Sequence, residues 1–150
     1  AETITAVDFS TQMLERAREK IDSRAVEFVQ ADLTKRWQFS GANFDLATCS
    51  LTLEHIRELG AIFSQVRERL EKNGMFFVCE LHPIKQYLGS KAKFDHGGGV
   101  EELQVFVHHI SEYLDAAQAN DLSLESFCEW FDSDKKNEVP RLCSFLFRAV

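Results

Sequence analysis

Along the 150-residue chain, short β-branched or aromatic runs alternate with longer stretches whose apolar residues stand three and four apart. TITAV, from Thr3 to Val7, predicts a strand; Ser10 or Thr11 then caps a helix with Met13, Leu14, Ala17 and Ile21 on one face. Val26 to Gln30 predicts the next strand. After a polar connection containing Trp37 and Phe39, Phe44 to Cys49 predicts another. Leu59, Ile62, Phe63, Val66 and Leu70 place a helix over about Ile56 to Lys72, and Asn73-Gly74 supplies a left-handed residue to end it. Met75 to Leu81 is nearly all apolar, the pattern of a central strand covered on both faces. Tyr113, Leu114 and Ala117 predict a short helix from Ser111 to Asn120. Two strands follow, Leu122 to Phe131 and Leu142 to Arg148, with Pro140 in the loop between them.

Strands alternating with helices define a layered α/β domain, and 150 residues suit a single one. The stretch 83–109 is less regular. AKFD and LQVFV flank His96-Gly97-Gly98-Gly99 like the arms of a hairpin or lid with a flexible tip.

Composition narrows the partners. With 45% hydrophobic and 27% charged residues the chain can build a core. Its net charge of -7 is spread evenly: 10 Lys and Arg face 13 Asp and Glu over residues 1–82, and 7 face 11 over 83–150. Without a basic face, a nucleic-acid substrate or an anionic membrane surface is disfavoured. The longest apolar run, Met75 to Cys79, is far short of the ~18 residues of a membrane span. AETITAVD lacks the basic and apolar regions of a secretory signal, so a cytoplasmic protein is expected. Cys49, Cys79, Cys128 and Cys143 form no Cys-x-x-Cys motif and lie in apolar runs, which predicts buried reduced thiols.

In parallel α/β sheets ligands sit beyond the carboxyl ends of the strands. Asp8 closes the first strand directly before a helix start, and Asp32 follows VEFVQ. A carboxylate there can accept two hydrogen bonds from a ribose diol; the competing role for both residues is to cap or solvate a loop end.

The string AVDFSTQMLERAREK resembles the second strand and following helix of class I S-adenosylmethionine-dependent methyltransferases of the small-molecule, type 11-like kind. FVQADL is similar to the family's adenine-contacting turn, FDLATCSLTLEHI to its fourth strand and exit, and RERLEKNGMFFVCELHP to its helix, Gly turn and fifth strand. HHISEYLDAAQANDLSLESFCEWF is similar to its final helix and sixth strand, with Asn120 where Gly is common. The resemblance covers nearly the whole chain. It implies a Rossmann-like methyltransferase sheet, mostly parallel with an antiparallel C-terminal strand, in one domain over 1–150 with the lid segment at about 83–109. It implies methyl transfer from S-adenosylmethionine to a small-molecule acceptor, leaving S-adenosylhomocysteine.

Carried over by position, it implies that Asp8 binds the ribose hydroxyls and Phe9 packs on the adenine. Asp32 would bond the adenine amino group beside the Leu33 backbone, and Cys49, Ser50 and Leu51 would line the methionine portion, chiefly through backbone groups. For a hydroxyl or amine acceptor a base must take a proton. His55 and His82 rank first, with Glu80 and His109 behind them, and Leu53, Tyr87, Phe94, Phe106 and Trp130 would build the acceptor pocket.

The family opens with a strand and a Gly-x-Gly-x-Gly loop, whereas this chain starts at the equivalent of the second strand. In the family's order, 3-2-1-4-5-7-6, the strand without a counterpart is central. Three arrangements are open: a fragment of a longer enzyme, direct pairing of the two flanking strands, or a second copy filling the gap as a homodimer. A non-catalytic methyltransferase-like module, acting through dimerisation or protein binding, is the competing function. A nicotinamide-dependent dehydrogenase fits the Asp32 turn less well. His96-Gly97-Gly98-Gly99 resembles an esterase oxyanion loop, but no Gly-x-Ser-x-Gly accompanies it, and His108-His109 lack partners at metal spacing, so no metal site is expected.

Overall fold

The computed structural model describes residues 1–39, 43–89, 93–95, 100–102, 105–133 and 138–150, with backbone only at 93–95 and 100–102. The chain divides into two compact units, Ala1–Gly41 and Ala42–Val150.

The first unit is one β-α-β element: β1 (Ile4–Asp8), α1 (Thr11–Lys20) and β2 (Val26–Gln30). β1 and β2 pair in parallel from Ile4↔Val26 to Asp8↔Gln30, so both chain directions end at the same edge. Ser10 caps α1 by accepting from the Met13 N–H at 3.3 Å, and Leu14 is the helix's buried residue.

The second unit carries β3 (Phe44–Ser50), a 3-10 turn (Leu53–His55), α2 (Leu59–Arg67), β4 (Leu70–Leu81) and α3 (Pro83–Tyr87). It continues through β5 (Lys93–Asp95), β6 (Val100–Glu102), α4 (Ile110–Gln118), β7 (Leu122–Trp130) and β8 (Leu142–Ala149). Its main sheet runs β3-β4-β8-β7, with β3 and β4 parallel and β8 antiparallel to both neighbours. β8 therefore supplies the expected antiparallel C-terminal strand. The core lies where α2 and α4 cover this sheet: Phe63 meets Phe76 and Phe147 edge-on at 5.2 and 5.7 Å, and Tyr113 stacks on Phe145 at 5.0 Å. Such aromatic pairs are worth about 0.5–1.5 kcal/mol each beyond the area they bury.

Several expectations are corrected. The helix predicted over Ile56 to Lys72 is shorter, because the chain forms the 3-10 turn and then an extended Ile56 before α2 begins. Asn73-Gly74 does not end that helix. It forms a bulge inside β4, where partners jump from Phe44↔Leu70 to Leu46↔Met75. Asn73 has φ +64, and a Cβ on Gly74 would lie 2.9 Å from the Glu71 carbonyl oxygen, so only glycine fits. The two faces of β4 are unequally covered: Phe76, Val78 and Glu80 are buried while Met75, Phe77, Cys79 and Leu81 are half-buried. The second hairpin arm is Val100–Glu102, earlier than LQVFV, and pairs antiparallel with Lys93–Asp95. His96 to Gly99, Leu103 and Gln104 lie outside the described residues. All four cysteines are free, but only Cys143 is buried and Cys128 is exposed, because it sits on the edge strand β7. Within the first unit β1 and β2 form a two-stranded sheet of their own.

Candidate active site

In the first unit Asp8 is half-buried at the carboxyl end of β1, one residue past the β-branched run that forms the strand. Its Oδ1 accepts from the Ser10 N–H at 2.7 Å, which fixes the carboxylate beside the start of α1. That is the one bond its carboxylate makes among the described residues, so Oδ2 keeps its acceptor capacity. Phe9 is 72% exposed, an apolar ring held out beside that carboxylate. Asp32 follows β2 and closes a tight turn: its Oδ1 accepts from the Thr34 N–H at 2.9 Å and the Thr34 hydroxyl at 2.6 Å. The Thr34 hydroxyl and then its N–H hold the Asp32 carboxyl below its usual range. Leu33 is half-buried, and its carbonyl accepts from the Trp37 indole at 3.1 Å. Both acids thus do the local capping work and still offer a second oxygen. Two carboxylates with open acceptors, one beside an exposed ring, suit the diol, amino group and base of an adenosine, so the donor set fits.

In the second unit the exit of β3 is held from below. The Leu51 N–H donates to the Cys79 carbonyl at 2.9 Å, and the Thr52 hydroxyl donates to the Ser50 carbonyl at 3.0 Å. Leu51 has φ +51, a left-handed conformation that costs a non-glycine residue about 1–3 kcal/mol. Cys49 packs under the covered face of the sheet, and burial followed by the Glu80 charge pushes its thiol up to about 12. A thiol so raised keeps its proton at neutral pH, and the backbone groups of Cys49, Ser50 and Leu51 are what the family resemblance offers a ligand here.

Glu80, near the end of β4, is 1% exposed. Its Oε1 accepts from the Thr52 N–H at 3.0 Å and the Leu53 N–H at 3.1 Å, while Oε2 is buried without a hydrogen-bond partner among the described residues. Burial dominates these bonds and pushes its carboxyl above the usual range, with the Glu54 charge adding to the rise.

The histidines divide by surroundings. His82 caps α3: its Nδ1 accepts from the Ile84 N–H at 3.2 Å, and its buried Nε2 lies 3.0 Å from Glu129 Oε1 without hydrogen-bond alignment. His55 ends the 3-10 turn, its Nε2 at 3.9 Å from Glu54 Oε1. His108 is buried and bonds the Ile56 carbonyl at 2.7 Å. His109 precedes α4, its N–H donating to Glu112 Oε2 at 2.7 Å, and its exposed Nδ1 hydrogen-bonds the Tyr87 hydroxyl. Tyr87 comes from α3, directly after β4, so this pair stands at the carboxyl end of that strand. Leu53, expected in an acceptor pocket, is wholly enclosed in the core; Tyr87 and Trp130 are exposed. The Phe94 side chain lies outside the described residues.

A family model described as a methyltransferase domain matches residues 1–78, just over half of the chain. The chain belongs to this methyltransferase family. A demethylmenaquinone methyltransferase of Leptospira interrogans is 30% identical over 86 residues, 55% of this chain. The match covers 34% of that protein, so the chain spans about a third of the curated relative's length. An S-adenosylmethionine-dependent methyltransferase of Mesorhizobium loti superposes with a TM-score of 0.79 at 20% identity, covering 99% of this chain and 81% of that one. Another, from Clostridium acetobutylicum, gives 0.76 at 18% identity over 98% and 75%. At these identities the likeness is one of fold, and the fold is that of the class I methyltransferases.

Sequence reasoning about this methyltransferase domain missed two contacts. Glu80 was legible as an acid at a strand end, but nothing local marks it as the cap of a turn 27 and 28 residues away. The Tyr87–His109 bond joins residues 22 apart across an irregular stretch, where periodicity gives no register. One signal was available for Glu80: an acid in a run of alternating buried residues must find donors.

Proposed function

We propose that this chain takes part in methyl transfer from S-adenosylmethionine to a small-molecule acceptor. The observation that carries the reading is Asp8, at the carboxyl end of a parallel strand inside the family-matched segment, with one carboxylate oxygen spent on the backbone and the other open among the described residues. Asp8 binds the ribose hydroxyls, Phe9 covers the adenine, and Asp32 with the Leu33 backbone reads its amino edge. Cys49, Ser50 and Leu51 present backbone groups to the methionine portion. When bound, the cofactor supplies an activated methyl group on a sulfonium; the protein's work is alignment and, for an O–H or N–H acceptor, removal of a proton. Of the candidate bases, His55 and His82 stand near strand ends, but the His82 ring is held at the start of α3. His109, exposed and bonded to Tyr87, is the better placed to receive a proton.

Calorimetric titration with S-adenosylhomocysteine, with NAD as control, tests the reading. Micromolar binding of the first alone supports it, and demethylmenaquinone, the acceptor in the name of the Leptospira relative, is then the first acceptor to try. Absence of binding overturns it for this chain and leaves the fragment and the non-catalytic module as the readings.

A further inference from the structure

Three features of the second unit converge on the short loop between β3 and α2, and two of them are costly. Leu51 occupies a left-handed conformation with a branched side chain. Glu80 places a carboxyl group at 1% exposure, with one oxygen lacking a hydrogen-bond partner among the described residues. Buried charge and backbone strain both oppose folding, and each persists only where its surroundings enforce it.

The third feature shows what both serve. The 3-10 turn Leu53–His55 has no side-chain cap of its own, because the Thr52 hydroxyl is turned back to the Ser50 carbonyl. Glu80 Oε1 takes over from the next strand, accepting from Thr52 and Leu53. A Ser, Asn or Asp at the turn itself would cap it without burying an acid. Reaching for it from β4 instead ties the loop to the sheet: β4 holds Leu51 through the Cys79 carbonyl and the next two N–H groups through Glu80. The held segment stands at the carboxyl end of a parallel strand, where backbone shape governs ligand contact.

We propose that Glu80 is a positioning residue, its carboxylate holding the Ser50–Leu53 loop in the shape that receives the amino-acid end of the methyl donor. The proposal rests on the methyl-transfer reading and assigns Glu80 no contact with the reacting atoms.

The test uses the 150-residue chain, Glu80→Gln and Glu80→Leu. Gln keeps an acceptor oxygen at the same reach; Leu removes it at similar volume. Amide exchange followed by NMR should show protection at Thr52 and Leu53 lost in Glu80→Leu and kept in Glu80→Gln, with β8 amides unchanged in both. Titration with S-adenosylhomocysteine should show affinity lower by about tenfold or more in Glu80→Leu, as for loss of a bond to a charged group, with Gln restoring it to within about threefold of the parent. If Glu80→Leu does not fold, Glu80→Asp, one methylene too short to reach both N–H groups, takes its place with the same expectation. Unchanged affinity with a loosened loop, or failure of Gln to rescue, overturns the positioning role. If the parent chain takes up no S-adenosylhomocysteine, the methyl-donor reading fails and the ligand half of the proposal with it. Exchange at Thr52 and Leu53 then decides on its own whether Glu80 shapes the loop.

Discussion

Asp8 and Asp32 show how one side chain can serve the backbone and a ligand together. Each spends one oxygen on the residue two positions on, and the other keeps its acceptor capacity among the described residues. Asp8→Ala should weaken S-adenosylhomocysteine binding by about 1.5–3 kcal/mol, read by calorimetry; equal affinity would remove Asp8 from the site. Glu80 makes a prediction about pH. Its folded carboxyl is raised by burial, so the folded chain holds that proton to higher pH than the unfolded chain does. The stability it contributes is whole below the ordinary glutamate value and is lost as pH rises through the raised folded value. Urea midpoints across that interval should fall less steeply in Glu80→Gln than in the parent, and parallel curves would show that Glu80 ionises as an ordinary glutamate. The cysteines separate in the same way. Burial pushes the Cys49 and Cys143 thiols up to about 12, while Cys128 is exposed on an edge strand. A thiol reagent at neutral pH should therefore label Cys128 in the native chain, and Cys49 and Cys143 only after denaturation.

At the scale of elements, the centre of the second unit is the contact of α2 and α4 with β4 and β8. Phe63 is wholly buried there against Phe76 and Phe147, so Phe63→Ala should cost about 3–5 kcal/mol in chemical denaturation; a loss under 1 kcal/mol would mean that the core collapses around it. Periodicity made this core legible: Leu59, Ile62, Phe63, Val66 and Leu70 are all buried, as their spacing demands. It did not reveal that Leu70 already belongs to a strand, because a buried position looks the same in either element. Asn73-Gly74 was legible as a place needing a left-handed residue, but a bulge and a helix end make the same demand. The ends of β1 and β3 could be read because β-branched runs stop there. The contacts that shape those ends come from residues far along the chain, and no local pattern carries them.

Across the whole molecule burial is uneven. Leu14 is the buried apolar side chain of 1–39, where Ile4, Phe9, Met13 and Ile21 are exposed, while β4 and β8 carry Phe76, Val78, Phe145 and Phe147 at the core of 42–150. Local opening follows buried apolar contact, so amides of β1, α1 and β2 should exchange faster than those of β4 and β8 in mass-detected hydrogen exchange. Equal protection would contradict this ordering. The bulge in β4 adds a consequence for the tolerance of the chain to change. Between the pairs Phe44↔Leu70 and Leu46↔Met75, β3 advances by two residues and β4 by five, so three residues are looped out before the strand resumes. A strand keeps count in twos, and one residue inserted after Met75 would turn Glu80 to the opposite face and strand the Thr52 and Leu53 donors. The same residue inserted beside Asn73 would enlarge a loop already outside the ladder. The bulge is a slack point in the chain's phase: lengths can drift upstream of it while the face that carries Glu80 stays set.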